Sequence, residues 1–152
     1  MSDRRARLPE NERRDAGFTL IEIMIALVVL SIVAAFALPS YQQSLRTAKR
    51  ADAYIALANV KDAQEIDYNN QAAPRSYTKK LTDLGLSATS NDGLYDLTVT
   101  ACDDGTLSDC FEVRATARED GSQWGDTDCR WLSLDSRGRR DSGPDSEACW
   151  RE

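Results

Sequence analysis

Histidine is absent from the 152 residues of this sequence. Because histidine is the commonest general base and a frequent metal ligand, its absence counts against an enzyme and against a metal centre. Basic residues are also fewer than acidic ones, because the sequence has 19 Lys and Arg residues and 25 Asp and Glu residues. The resulting net charge of −6 argues against a general attraction to nucleic acid. We therefore predict no catalytic residue, no cofactor, no metal, no small-molecule substrate and no nucleic-acid partner.

Long apolar stretches are equally scarce, and residues 18–38 form the one run that is long enough to cross a bilayer. Glu22 is its only charged residue, and Thr19 and Ser31 are its only other polar residues. As a helix, the run would be roughly 31 Å long, about the thickness of the hydrocarbon core. Five arginines precede it, which favours a cytoplasmic N-terminus. We expect a single transmembrane segment.

After this run the pattern changes to that of an amphipathic helix, predicted over residues 39–69. Pro39 lies inside what would otherwise be one continuous helix, so we expect a kink or a locally melted turn there. Residues at three- and four-residue spacing define the stripe expected to face the rest of the domain: Tyr41, Leu45, Ala48, Asp52, Ile55, Asn59, Ala63 and Ile66.

Residues 70–152 carry the signals of a small sheet. Two runs of alternating residues, Tyr95–Ala101 and Phe111–Ala117, are separated by the turn signal Asp103-Asp104-Gly105 and so predict an antiparallel hairpin. A short helical turn is expected at Leu81–Leu84 and a further strand at residues 130–135. The sequence therefore predicts an α+β fold, in which a long N-terminal helix packs on an antiparallel sheet of three or four strands.

The four cysteines all lie in the C-terminal third, too far apart for the close pairs typical of zinc sites. An even number beyond an apolar segment indicates two disulfides in an oxidising compartment. Three connectivities are possible. Cys102 and Cys110 end and begin the strands of the predicted hairpin, whereas Cys129 and Cys149 bracket the C-terminal loop, so we predict the pairs Cys102–Cys110 and Cys129–Cys149.

An ordinary secretory signal is cut after its apolar core, whereas here Gly17 stands before that core. The sequence Gly17-Phe18-Thr19-Leu20-Ile21-Glu22, followed by the apolar run and Pro39-Ser40-Tyr41, resembles the N-terminal signature of type IV pilins and pseudopilins. The resemblance implies that a prepilin peptidase cuts between Gly17 and Phe18 and N-methylates Phe18. It also implies that Glu22 pairs with the N-terminal amine of a neighbouring subunit when the helices bundle.

The same resemblance implies a type IV pilin-like fold and a route from the inner membrane to a pilus on the cell surface. Its partners would be other pilins, the prepilin peptidase and the inner-membrane assembly platform. The segments expected are a leader (residues 1–17), a transmembrane and filament-core half-helix (18–38), an amphipathic half-helix (39–69) and a C-terminal loop and sheet domain (70–152).

The C-terminal region resembles PilE-type minor pilins, through Asn91-Asp92-Gly93-Leu94-Tyr95 and the loop that Cys129 and Cys149 would close. We therefore expect a structural minor pilin that takes part in pilus assembly or initiation. A major pilin, a type II secretion pseudopilin and a single-span membrane sensor or adaptor are the alternatives.

Two clusters of residues suggest more specific functions, but the sequence supports each of these functions less well than an ordinary surface role. The first is a calcium site in the acidic loops, but the spacing does not match an EF-hand, so solvated turns are expected. The second is a patch for single-stranded DNA, but carboxylates flank its basic residues. The acidic set is Asp103, Asp104, Asp109, Asp126 and Asp128, and the basic aromatic set is Arg137, Arg139, Arg140, Trp131 and Trp150.

Overall fold

A computed structural model describes residues 17–144 and 146–150, without the side chains of residues 146 and 147. The predicted leader therefore lies outside the described residues except for Gly17. The chain divides into two compact units between Ser40 and Tyr41, and each is described by itself.

The long helix α1 spans Leu20–Asn70. Its start is fixed by Thr19, whose Oγ1 accepts a hydrogen bond of 3.3 Å from the backbone N–H of Glu22. A threonine in this position satisfies one of the amide groups that a helix start leaves unpaired. The helix is unbroken through Pro39, so the structure contains no melted turn at that position, and a kink there stays a prediction.

The second unit contains a four-stranded antiparallel sheet with the strand order β1-β2-β3-β4. Two 3-10 turns, Leu81–Leu84 and Ser122–Gly125, lie in the connections, and a single helical turn, α2, comprises Ser146–Cys149. The strands are β1 (Tyr95–Ala101), β2 (Phe111–Ala117), β3 (Cys129–Asp135) and β4 (Arg140–Pro144).

The predicted hairpin is present with the predicted bounds, and the predicted third strand begins one residue earlier, at Cys129. The sequence pattern did not locate β4, because Gly143 and Pro144 are residues that ordinarily indicate turns. Both are tolerated here because β4 lies at the edge of the sheet. Gly143 is also required, since a Cβ at this position would overlap the indole ring of Trp131.

The core of the second unit lies between α1 and one face of the sheet. Alternate residues of β1 and β2 point into it, which is the pattern expected when one sheet face is covered. Fully buried side chains there include Tyr95, Phe111, Val113 and Leu132, and α1 contributes Ala53, Ala56, Leu57 and Val60.

The predicted apolar stripe of α1 is wrong. Tyr41, Ile55 and Ile66 are 62%, 53% and 63% exposed, and only Asp52 of the predicted set is buried. The buried face is offset around the helix, and it combines small or medium apolar residues with polar ones. Hydrophobicity alone did not mark this face, because three of its members are polar residues that anchor loops: Arg50, Asp52 and Gln64.

Each of these three polar residues of α1 binds a residue in one of the loops that connect the other elements. Arg50 donates two hydrogen bonds to the Asp126 carboxylate, at 2.7 and 2.9 Å, in a fully buried ion pair. Asp52 accepts from the Ser90 hydroxyl at 2.6 Å. The Gln64 carbonyl accepts from the backbone N–H of Thr78 at 3.0 Å.

The pKa of Arg50 is raised chiefly by its hydrogen bond to Asp126, so the guanidinium keeps its positive charge in this pair.

The offset buried face predicts opposite outcomes for two neighbouring substitutions. Leu57→Ala should lower the free energy of unfolding by about 2–5 kcal/mol, because it leaves a cavity in the core. Ile55→Ala, on the exposed face, should change it by less than about 0.5 kcal/mol. Denaturant unfolding in micelles measures both. Equal losses, or a larger loss for Ile55→Ala, would contradict the assignment of the buried face.

The buried ion pair makes a second prediction. Arg50→Met should destabilise the second unit by about 3–5 kcal/mol, because it leaves the Asp126 carboxylate buried without a counter-charge. The matched control is Arg118→Met, whose pair with Asp120 is exposed to solvent and should contribute about 0–1 kcal/mol. Urea titration of both variants is the measurement. A loss no larger for Arg50→Met than for the control would show that Arg50 is not an anchor.

Candidate functional site

The apolar segment, residues 18–38, has almost all of its side chains exposed. Phe18 and Phe36 are each 79% exposed, and the large aliphatic side chains between them are exposed by about half or more. Among the described residues, α1 is the one helix long and apolar enough to cross a membrane, and its apolar 18-residue window has a mean hydropathy of 2.8. A surface of this size is not stable in water, so it has to be covered by lipid or by other helices.

Most polar groups of this segment are satisfied within their own helix. Thr19 caps the helix start, and the Ser31 hydroxyl donates to the Val28 carbonyl oxygen at 2.7 Å. Neither residue therefore needs a partner from another helix.

The Glu22 carboxylate is the exception, because it makes no hydrogen bond or ion pair with a described residue. It lies in the first turn of α1, where the helix dipole favours negative charge. That effect is small beside the few kcal/mol needed to place a carboxylate within the hydrocarbon core. A cationic partner, or a position at the headgroups, is therefore required when the segment is covered.

In the second unit the two disulfides join Cys102 to Cys110 and Cys129 to Cys149, each with a Cα–Cα distance of 5.6 Å. These are the two pairs that the sequence predicts. The first links the end of β1 to the start of β2 across the hairpin loop, and the second joins β3 to the C-terminal helical turn α2. Cys102 and Cys110 also lie near the Asp135 carboxylate, but as disulfide sulfurs they cannot act as thiolate ligands for a metal.

The C-terminal tail is held by more than its disulfide. The Trp150 ring stacks on Tyr54 of α1 with ring centroids 5.0 Å apart, and the Arg140 guanidinium lies over its ring at 5.0 Å. The Trp150 indole N–H donates to the Asp141 carbonyl oxygen at 2.9 Å, and the Tyr54 hydroxyl donates to the Cys149 carbonyl oxygen. The tail is thus fixed to β4 and to α1 together.

The predicted basic and aromatic patch is divided among separate partners. Arg137 donates to Asp104 at 2.8 Å, and Arg139 donates to Asp135. Among its aromatic members, Trp150 pairs with Arg140, as described above, while the Trp131 ring lies 4.1 Å from the guanidinium of Arg114 on β2. A further stack places Arg130 over Trp124 at 4.4 Å.

Two ion pairs involve carboxylates of the acidic loops that the sequence suggested as a calcium site. The Arg137 guanidinium lowers the pKa of Asp104 through a hydrogen bond and its charge. Asp126 is buried against Arg50. Two of the five carboxylates considered for calcium are therefore bound to arginines.

Comparison with known proteins gives matches over both parts of the chain. A family model described as type IV minor pilin ComP, DNA uptake sequence receptor, matches residues 39–133, more than half of the chain. A second model, the prokaryotic N-terminal methylation motif, matches residues 13–38, a range that includes Gly17, Phe18 and Glu22.

Relatives with known names agree with these models. Fimbrial protein EcpC of Eikenella corrodens is 28% identical over 121 residues, which cover 71% of this chain and 79% of that protein. The type IV major pilin protein PilE of Neisseria gonorrhoeae is 35% identical, over 49% of this chain and 43% of that protein. The type II secretion system core protein G of Aeromonas hydrophila is 34% identical, over 38% and 43% respectively. This chain thus spans less than half of the last two relatives.

The description of the first model names a DNA uptake sequence, whereas the sequence of this chain predicts no nucleic-acid partner. The N-terminal match and the fold, by contrast, agree with what the sequence predicts. The chain belongs to the type IV pilin family and is a structural subunit rather than an enzyme.

Proposed function

We propose that this chain is a minor pilin that takes part in the assembly or initiation of a type IV pilus. The observation that carries the proposal is the exposed apolar helix with one unpartnered carboxylate near its start. Such a helix fits two successive environments, a bilayer before assembly and a bundle of similar helices afterwards. The minor rather than major role is supported by the description of the matching family model.

We further propose that the chain is made as a precursor and is cut between Gly17 and Phe18 on the cytoplasmic side. The match of the methylation motif over residues 13–38 supports this position. The cut has a chemical consequence, because it converts the amide nitrogen of Phe18 into an amine that is positively charged near neutral pH. N-methylation of that amine keeps its charge. The mature chain would then cross the inner membrane once, with the disulfide-bonded unit in the periplasm.

The new amine is the partner that Glu22 lacks. Glu22 carries the first charged side chain of the proposed mature sequence. In the isolated chain, no described Lys or Arg side chain forms an ion pair with it. In a bundle, the amine of a neighbouring subunit can approach Glu22 while both groups leave water. Attraction between opposite charges is much stronger in that low-dielectric setting than in water. We propose this inter-subunit pair as the contact that admits the chain into the filament.

Three alternatives share parts of this evidence. A major pilin would have the same N-terminal features, and its abundance in purified filaments would distinguish it. A type II secretion pseudopilin is supported by the match to core protein G, but the Cys129–Cys149 bridge argues against it. A single-span sensor or adaptor would keep residues 1–17 attached, and membership of the pilin family argues against it.

DNA binding is a second candidate function, favoured by the family description as a DNA uptake sequence receptor. Three arginines that stack on tryptophans offer cationic and aromatic surface of the kind that contacts nucleic acids: Arg114, Arg130 and Arg140. The net charge of −6 and the commitment of Arg137 and Arg139 to carboxylates oppose it.

The role of Glu22 is tested by two substitutions. Glu22→Ala should leave membrane insertion and leader cleavage intact and reduce incorporation into filaments by roughly tenfold or more, as expected from the loss of a charged hydrogen bond. Glu22→Gln keeps the size and the capping ability of the side chain but removes its charge. The measurement is the ratio of this chain in sheared filaments to that in membranes.

If the charge admits the subunit, Gln and Ala should fail alike. Normal incorporation of Glu22→Gln together with failure of Glu22→Ala would instead assign Glu22 to capping its own helix. Normal incorporation of both variants would remove Glu22 from the assembly contact.

Retention of duplex DNA in a gel at about 0.15 M salt tests the second candidate, because non-specific electrostatic binding weakens steeply with salt. The structural role predicts no retention of genomic fragments by the mature chain in micelles. Retention that Arg114→Ala and Arg140→Ala abolish, but that Arg118→Ala does not, would establish the receptor role.

A further inference from the structure

The Cys102–Cys110 disulfide borders a surface cavity of about 240 Å³. Cys102 lines this cavity together with the charged side chains of Asp135, Arg139 and Arg140. Cys102 is 6% exposed, whereas Cys110, Cys129 and Cys149 are fully buried. The cavity therefore brings a small molecule next to the first disulfide, on the side of Cys102. The second disulfide does not border this cavity.

The surroundings of the two disulfides also differ in how well they stabilise a thiolate formed from one of the cysteines. The Ser136 hydroxyl lies 3.3 Å from Cys110 Sγ, in position to donate a hydrogen bond to it, while the Phe111 carbonyl oxygen lies farther away, at 3.8 Å. The corresponding neighbour of Cys149 Sγ is the Asp128 carbonyl oxygen at 3.3 Å, which can only repel a negative sulfur. A leaving sulfur departs faster when its thiolate is stabilised, so Cys110 is the better leaving group.

Carboxylates act in the opposite direction, because Asp103, Glu112 and Asp141 line the cavity and Asp135 lies beside the disulfide. The Asp135 carboxylate lies within 4.8 Å of both sulfurs of the first disulfide and disfavours a thiolate there. Its charge is offset, however, because Arg139 donates both its backbone N–H, at 2.7 Å, and its guanidinium to the same carboxylate.

The first disulfide closes a loop, residues 103–109, that contacts three other parts of the unit. The Leu107 carbonyl oxygen accepts from the backbone N–H of Tyr77 at 2.8 Å, and the Ser108 carbonyl oxygen accepts from the Tyr68 hydroxyl at 3.2 Å. Asp104 pairs with Arg137 in the β3–β4 turn. Two of these contacts are exposed and Leu107 is only partly buried against the core, so we expect the covalent link between Cys102 and Cys110 to contribute much of what holds the loop.

We propose that Cys102–Cys110 is a reducible latch that a dithiol reductant opens through this cavity while Cys129–Cys149 stays closed. A thiolate of the reductant attacks Cys102 Sγ, a mixed disulfide forms, and Cys110 leaves as a thiolate and takes up a proton. The second thiol of the reductant then attacks the reductant's own sulfur in the mixed disulfide and releases Cys102 as a thiol. Two electrons and two protons pass to the cysteines, and the reductant leaves as a cyclic disulfide.

Opening the latch changes the surface of the domain. The loop that carries Asp104 is released from Tyr68, Tyr77 and Arg137, and the Arg137 guanidinium loses its counter-charge. The region around the β3–β4 turn becomes more positive and more mobile, whereas the C-terminal tail stays fixed by the second disulfide. The inference does not depend on the proposed role in pilus initiation.

The test is a titration of the mature full chain in micelles with dithiothreitol, followed by alkylation of free thiols and peptide mass spectrometry. Cys102 and Cys110 should be half alkylated at a reductant concentration about tenfold lower than Cys129 and Cys149 require, reflecting their access and leaving-group advantage. Simultaneous alkylation of all four cysteines, or earlier alkylation of Cys129 and Cys149, would overturn the proposal.

Two sets of variants separate the chemistry from the stability of the fold. Ser136→Ala keeps both disulfides and should slow reduction of the first roughly threefold or more, because it removes the hydrogen bond to the leaving sulfur. Ser108→Ala, in the loop that the first disulfide closes, is the control and should leave this reduction rate unchanged. An unchanged rate in Ser136→Ala would refute the assigned leaving group.

In Cys102→Ser/Cys110→Ser, amide hydrogen exchange of residues 103–109 and of Gly138 should increase while that of β2 is unchanged. Equal exchange in all of these segments would refute the latch. The rate measurement with Ser136→Ala stands even where this double variant does not fold.

Discussion

The need to remove residues 18–38 from water is the constraint on which the remainder of this protein depends. A helix with nearly every apolar side chain exposed has no stable place in solution, so the chain must reside in a membrane or among other helices. Within such surroundings the Glu22 carboxylate is the costly group, and its need for a cation limits which arrangements are stable. Membership of the pilin family and the match to the methylation motif fit this requirement, because the proposed assembly would place the helix in a bundle and the proposed cleavage would create a new amine.

The second unit uses a different principle, in which polar contacts fix the connections while apolar contacts form the core. Arg50, Asp52 and Gln64 each bind a loop to α1, and the two disulfides close the hairpin and the tail. A small sheet with one covered face gains limited stability from burial alone. Covalent closure and buried polar anchors supply what its core does not, in a unit whose loops are long relative to its strands.

Local patterns in the sequence were sufficient for the elements whose residues alternate clearly. Strands β1 and β2 follow from the alternation of their side chains, and the site at Gly17, Phe18 and Glu22 was predicted from a motif of fixed spacing. The long helix follows from the apolar run and the spacing after it, but its unbroken course through Pro39 does not. Neither the roles of these three residues nor a kink at Pro39 is established by the fold. Where the sequence pattern failed, tertiary contacts decided the outcome.

The two failures have identifiable causes. Ile55 is more hydrophobic than Ala53 or Ala56, yet it is exposed, because the buried face is the one that combines small or medium apolar side chains with the polar residues that anchor loops. Strand β4 carries turn-forming residues that only an edge position and the neighbouring Trp131 explain. Neither cause is visible without the partner element, which periodicity along a single segment cannot supply.

The central claim is that cleavage before Phe18 makes the filament helix the N-terminal segment of the mature chain and creates the amine that Glu22 requires. Mass spectrometry of the N-terminal peptide, on chain purified from its native membranes and pili, tests it most directly. The account predicts a mature N-terminus at Phe18 that carries one added methyl group. A chain that reaches the pilus with residues 1–17 still attached would contradict it.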